Sequence, residues 1–96
     1  MGFFYFMYYV YVLFSLKDRK FYIGFTRNLK VRITQHKNGY VKSTRNRRSL
    51  ILIYYEVYIQ KADAKKREKY LKGGNGRASL KIQLKSILTK LNYGYL

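Results

Sequence analysis

Residues 8–25, YYVYVLFSLKDRKFYIGF, decide the fold. Val10, Val12 and Phe14 alternate with Tyr9, Tyr11 and Leu13, the period of a β-strand with two unlike faces. A second such run begins after the polar segment Ser15-Leu16-Lys17-Asp18, so the stretch predicts an antiparallel hairpin closed by a four-residue loop. A regular ladder across that loop sets Phe14 opposite Arg19 and Tyr11 opposite Tyr22. One face then carries Val10, Val12, Phe14, Phe21 and Ile23; the other carries Tyr9, Tyr11, Leu13, Lys20 and Tyr22. Gly24 ends the second strand without a side chain, leaving space beside Tyr22 for a helix or a ligand. Tyrosine is a good strand former, and a facing pair of tyrosines reads as packing as well as chemistry.

Beyond the hairpin, Leu29 and Ile33 form the apolar edge of a short helix that Thr26 or Asn28 starts and Asn38-Gly39 stops. Arg32 and His36, four residues apart, project side by side near that edge, where they can look back at the tyrosine face. Residues 39–48, GYVKSTRNRR, carry four basic side chains without apolar periodicity and read as a loop for phosphates. Leu50 to Tyr55 reads as a strand buried on both sides, completing a small sheet. The next helix, Ala62 to Lys72, has an apolar stripe of Ala64 and Leu71 with Glu68 between them. An inward-facing carboxylate there serves a site or pairs with Lys65 and Lys72, both at helical spacing. Gly73-Gly74-Asn75-Gly76 reads as a turn. A last helix buries Leu80, Leu84, Ile87, Leu88 and Leu91. The order is β β α β α α: an α+β domain in which a three-stranded antiparallel sheet is flanked by three helices.

At 96 residues the chain is one domain, spanning 1–96, with the motif-bearing part at 8–80. Twenty-one Lys and Arg against four Asp and Glu give a formal charge of +17, which calls for a polyanionic partner, nucleic acid foremost. There is no cysteine, which excludes disulfides and thiolate chemistry. The apolar run over residues 1–14 is too short to span a bilayer and lacks a basic leader, so no membrane partner is expected. Gly2 to Met7 extend the first strand or form an interface, which makes a homodimer one expectation.

The four acids limit the chemistry. Asp18, Glu56, Asp63 and Glu68 are scattered over turn, strand and helix, which argues against two-metal and paired-carboxylate hydrolysis. One inward Glu suffices for Mg²⁺, which keeps several waters and shares a substrate phosphate. Phosphodiester cleavage also needs a deprotonated nucleophile and charge stabilisation, roles that a phenol beside a cation and a guanidinium can fill.

The same residues resemble the GIY-YIG nuclease superfamily, in particular its small stand-alone bacterial members. Tyr9-Val10-Tyr11 takes the place of the first triplet, with Tyr9 where the family name has glycine, and Tyr22-Ile23-Gly24 matches the second. Arg32, His36 before Lys37-Asn38-Gly39, the stretch Lys42 to Arg48 and the helical Glu68 extend the likeness, which runs from Tyr9 to about Leu80. The resemblance implies a family fold that agrees with the order above. It also implies a DNA endonuclease of repair or recombination in the bacterial cytoplasm or nucleoid. Its catalytic residues would be Tyr11, Tyr22, Arg32, His36 and Glu68, with Glu68 holding one Mg²⁺ or Mn²⁺. Asn75 is the nearest match to an asparagine that follows the glutamate in family members. DNA would meet Arg27, Lys42, Thr44, Arg45, Arg47 and Arg48, and a separate protein could supply targeting. The competing expectation is a basic nucleic-acid-binding module on the same scaffold that cuts nothing.

Overall fold

The computed structural model describes residues 7–92. Strand β1, Tyr8–Ser15, is the centre of a three-stranded antiparallel sheet, with β2, Phe21–Thr26, on one side and β3, Leu50–Tyr58, on the other. The hairpin alternation holds: Val10, Val12, Phe14, Phe21 and Ile23 enter one buried cluster with Ala64, Leu71, Leu80 and Leu88. Burial of this face against helices supplies most of the folding drive, because apolar area removed from water is the dominant favourable term. The reading of Gly2 to Met7 falls, apart from Met7, outside the described residues.

The hairpin register differs from the expected one by two residues. Phe14 pairs with Phe21, Leu13 with Tyr22 and Tyr11 with Gly24. The loop is longer than four residues because its own side chains build it. Ser15 Oγ accepts hydrogen bonds from the Lys17 and Asp18 amides at 3.2 and 3.1 Å, and Asp18 Oδ1 accepts from the Lys20 amide at 3.0 Å. Arg19 turns the chain in the left-handed region at φ 60°. Tyr11 and Tyr22 are therefore diagonal neighbours on one face, still within reach of aromatic rings.

Strand β3 is an edge strand and is half-buried over most of its length, not buried on both sides. Its long apolar run arises at an irregularity in the ladder. Val12 pairs with Tyr54 and Leu13 with Leu52, so Ile53 is an extra residue that breaks the alternation.

Helix α1, Leu29–Lys37, covers the tyrosine face, and Asn28 caps it by accepting a hydrogen bond from the Val31 amide. A single 3₁₀ turn, Arg45–Arg47, lies in the basic loop. Helix α2, Lys61–Lys72, packs on the apolar face through Ala64, Glu68 and Leu71.

The glycine run is not a turn between helices but the start of the next one, α3, Gly74–Gln83. Close approach explains it: a Cβ on Gly76 would lie 2.1 Å from the Tyr70 carbonyl oxygen and 2.6 Å from Leu71 Cα, so only glycine lets α3 begin against the end of α2. The final apolar stripe is divided at Leu84 (φ −103°, ψ 25°) into α3 and a short α4, Lys85–Lys90, which makes four α-helices among the described residues where three were expected. Leu80 and Leu88 still reach the core on either side of the break. Among the described residues no helix is long and apolar enough to cross a membrane.

Candidate active site

The tyrosine face meets α1 at one cluster. Tyr11 lies opposite Gly24, and its ring covers that glycine; a Cβ there would stand 2.3 Å from Tyr11 Cζ and Oη. The space expected beside Tyr22 is thus filled by the phenol itself, an aromatic lying across a glycine of the neighbouring strand. Ring centroids of Tyr11 and Tyr22 are 6.3 Å apart, and the His36 ring stands edge-on to both, at 5.6 and 5.2 Å.

Helical spacing puts His36 on the inner side of α1, where it is 1% exposed. Its Nε2 lies 2.7 Å from Tyr11 Oη and its Nδ1 2.7 Å from Thr44 Oγ1. Thr44 is fully buried, and among the described residues His36 is its hydroxyl's only partner. One ring nitrogen of the neutral imidazole donates and the other accepts, so His36 links the buried Tyr11 and Thr44 hydroxyls in one hydrogen-bonded chain. Arg32, half-buried one turn earlier, reaches Gln35 Oε1 at 3.0 Å and lies near enough for its charge to act on Tyr11.

The electrostatics follow from this crowding. Burial, helped by the Arg32 charge, lowers His36 from 6.5 to about 4, which keeps the imidazole neutral at physiological pH. Burial pushes the Tyr11 phenol up to about 12; nearby Arg32 opposes this, while Tyr22 and Glu68 add to it. Glu68 therefore acts electrostatically on Tyr11, although its helix packs on the other face of the sheet.

Glu68 is 8% exposed, and its two oxygens meet Lys65 Nζ at 3.0 Å and Lys72 Nζ at 3.1 Å. Burial works against its charge, but the hydrogen bonds from the two lysines prevail and hold the carboxyl below its usual range. The ion pairs foreseen at this spacing are therefore present. Both lysine side chains remain about half exposed, at 52% and 54%, so each can release the carboxylate to another cation. An ionised hard-oxygen donor with displaceable partners suits one hydrated Mg²⁺ or Mn²⁺ shared with a phosphate. Among the described residues no three acidic, histidine or cysteine side chains form a metal cage.

The remaining expected contacts divide. Arg27, Lys42 and Arg45 are exposed, and Arg45 and Arg48 join Lys17 and Lys37 around an open groove of about 460 Å³ that no acid lines. Thr44 is a correction: buried on His36, its hydroxyl is closed to phosphate. Arg47 is partly exposed, with its guanidinium paired to Asp18 at 2.5 Å and to the Phe21 carbonyl at 3.3 Å. Asn75 is exposed in the first turn of α3.

Sequence reasoning missed one cluster. The Glu56 carboxylate accepts from Tyr54 and Tyr58 hydroxyls, both at 2.6 Å, and from Arg67 Nη2 at 2.8 Å. Burial opposes the Glu56 charge, yet Arg67 and the tyrosines win and hold it below the usual carboxylate range. The signal was available, because residues 54, 56 and 58 share one strand face. This cluster ties β3 to the helix that carries Glu68.

A diagonal pair of phenols thus meets a histidine from the next helix, with Arg32 one turn away from it and Glu68 on the helix across the sheet. The GIY-YIG catalytic domain matches residues 7–81. The chain belongs to the GIY-YIG family. It is 38% identical over 88 residues to a UPF0213 protein of Clostridium perfringens, covering 91% of this chain and 94% of that protein. A UPF0213 protein of Staphylococcus haemolyticus is 36% identical over 75 residues, 77% of this chain and 90% of the other. The solution structure of a UPF0213 protein from Bacillus halodurans superposes with a TM-score of 0.50 at 30% identity, covering 77% of this chain and 81% of that one. As in the expected fold, the GIY-YIG domain here is an antiparallel β2-β1-β3 sheet with helices on both faces. The family is one of nuclease catalytic domains, and the matched region spans most of the length of both relatives.

Proposed function

We propose that the chain is a metal-assisted endonuclease that hydrolyses phosphodiester bonds of DNA, serving repair or recombination. The carrying observation is the Tyr11 oxygen, held 2.7 Å from His36 Nε2 beneath the helix that also carries Arg32. Burial outweighs the neighbouring cation and pushes Tyr11 up to about 12, so it stays a phenol at neutral pH and orients the attacking water by hydrogen bonding. The neutral His36, linked to the buried Thr44 hydroxyl, keeps the phenol aimed. Arg32 compensates negative charge gathering on the transferring phosphate, and the phenol of Tyr22 fixes the rings by packing against His36. Glu68, together with substrate phosphate oxygens, would hold one Mg²⁺ or Mn²⁺, which supplies Lewis-acid stabilisation of the phosphate and its leaving oxygen. Arg45, Arg48 and Lys42 bring the DNA backbone to the site, by charge and not by sequence.

A second reading has its own support. Lys65 and Lys72 already neutralise Glu68, as expected of a module that binds nucleic acid and cuts nothing. The separating experiment incubates single-stranded, duplex, flapped and four-way DNA with native protein and Glu68→Ala, in Mg²⁺, in Mn²⁺ and in EDTA, at low salt. The endonuclease reading expects metal-dependent products that the variant does not make, with binding retained by both. Equal binding with no product under any condition would replace it with the binding module.

A further inference from the structure

The two flanks of α1 are unlike. At ~100° per residue, Arg32 leans to the side of Tyr11 and Tyr22, while Ile33, Lys30 and Lys37 lean the other way, toward β3. On that side the helix and the sheet enclose an open groove of about 640 Å³. Tyr9 and Tyr55 line it from the sheet, half-buried Leu52 and Ile33 form its apolar part, and exposed Arg27, Lys30 and Lys37 add three cations. No acid is among its lining residues. Tyr9 and Tyr55 are tilted neighbours with centroids 6.3 Å apart, and Tyr55 is 50% exposed. Tyr9 is also the residue that departs from glycine in the first triplet, so this aromatic wall is made by the position where the chain differs from its family's name.

We infer that this groove is a second site, which takes an unpaired nucleotide by stacking its base on Tyr55 and Tyr9 while Arg27, Lys30 and Lys37 hold the flanking phosphates. This rests on the nucleic-acid reading above and adds a substrate class to it: DNA with unpaired bases beside the scissile bond. The chemistry of the groove selects that occupant. Cations without an acid ask for an anion, and tyrosine faces ask for a flat apolar ring; a nucleotide supplies both. An intact duplex cannot use the tyrosines, because its base faces are already stacked on one another. A bilayer surface does not enter a concave groove beneath a helix.

The groove adjoins the candidate active site. Tyr55 pairs directly with Tyr11 across the β1–β3 ladder, and Tyr9 lies two residues along the same face. The width of α1, ~10 Å, separates the flanks, a span that a short stretch of unpaired strand crosses. A strand anchored by its base on one flank thus presents a nearby phosphate to Arg32 and Tyr11 on the other.

The test measures anisotropy of three fluorescent probes in EDTA, so that binding is read without cleavage: a short oligothymidylate, an abasic strand of equal length, and a blunt duplex. Native protein is expected to prefer oligothymidylate over the abasic strand. Tyr55→Ala should weaken oligothymidylate about tenfold, the order expected for removing one stacking ring, and leave the other two probes alone. Tyr55→Phe, which keeps the ring, should bind like the native chain. Equal affinity of the native protein for thymidylate and abasic strands would overturn the inference without any variant. So would an equal loss on all three probes in Tyr55→Ala. A protein that prefers bases yet never cuts keeps this site and loses the endonuclease reading; one that cuts while ignoring bases does the reverse.

Discussion

Acid should destabilise this protein through one side chain in a window where nothing else interferes. His36 is the only histidine, is 1% exposed and has its pKa lowered from 6.5 to about 4 by burial and by Arg32. Below pH ~6.5 the unfolded chain binds a proton that the native chain refuses. Stability is therefore full above ~6.5 and is lost as pH falls toward the folded value, at ~1.4 kcal/mol per unit. From pH ~7 to pH ~5 the loss is about 2 kcal/mol, which for a domain of this size lowers Tm by roughly 8–16 °C. Asp18, Glu56 and Glu68 do not blur the window, because their carboxyls are held below 3.8, 4.5 and 4.5 and lose stability only at lower pH. The assay is urea or thermal unfolding followed by circular dichroism at constant ionic strength across that range. His36→Gln, which keeps polar atoms but does not titrate, should be less stable near neutrality and flat with pH. A flat native profile, or a His36→Gln variant that keeps the native slope, would refute the buried neutral imidazole.

Glu68→Gln should abolish metal-dependent cleavage while changing stability by less than ~1 kcal/mol, since the two lysines it releases are half exposed and return to water; paired activity and urea titrations check this. Gly24→Ala should remove activity and cost ~1–3 kcal/mol, because its Cβ would stand 2.3 Å from the Tyr11 ring. A fully active Gly24→Ala would show that the covered glycine is incidental. Gly76→Ala should destabilise by ~2 kcal/mol or more, since backbone atoms of Tyr70 and Leu71 block the added carbon and cannot swing aside; its urea midpoint is the measurement. Glu56→Gln leaves the Arg67 charge without its carboxylate and should cost ~1–3 kcal/mol, read from thermal melts at neutral pH.

How much of this was legible depended on the range of the forces involved. Alternation along β1 reports local geometry, so the division between Val10, Val12, Phe14 and Tyr9, Tyr11, Leu13 could be read directly, as could Ala64, Glu68 and Leu71 on α2. The register could not, because Ser15, Asp18 and Arg47 shape the hairpin loop together and Arg47 comes from far along the chain. Four glycine-rich residues look like a turn until Gly76 meets the carbonyl of Tyr70, a contact no local pattern records. Thr44 lay among basic residues and read as a phosphate contact; only the folded loop turns it inward to His36. The pairing of Glu68 with Lys65 and Lys72 was legible because helical spacing alone brings them together.

The position of β2 explains how a chain with four acids can assemble the site proposed here. If β2 were an inner strand, another backbone would stand between the tyrosine face under α1 and the apolar face under α2. As an edge strand it leaves that boundary open, and Gly24, having no side chain, lets the Tyr11 ring extend over it. Helix α1 then supplies Arg32 and His36 from one face, and α2 supplies Glu68 from the other, near enough for its charge to raise the Tyr11 pKa. The orientation of α2 is held in turn by Arg67, the neighbour of Glu68, through Glu56 on β3. Three of the carboxylates are paired, exposed Asp18 in the loop, half-buried Glu56 at the far edge and buried Glu68 at the site, and only the partners of Glu68 are half-exposed lysines and not a forked arginine. A guanidinium makes a directional clamp and an ammonium a movable point charge. Glu68 is thus the carboxylate the fold leaves available for exchange, and replacing Lys65 and Lys72 together by Gln should strengthen Mn²⁺ binding where replacing Arg67 should not, as Mn²⁺ titration calorimetry would measure.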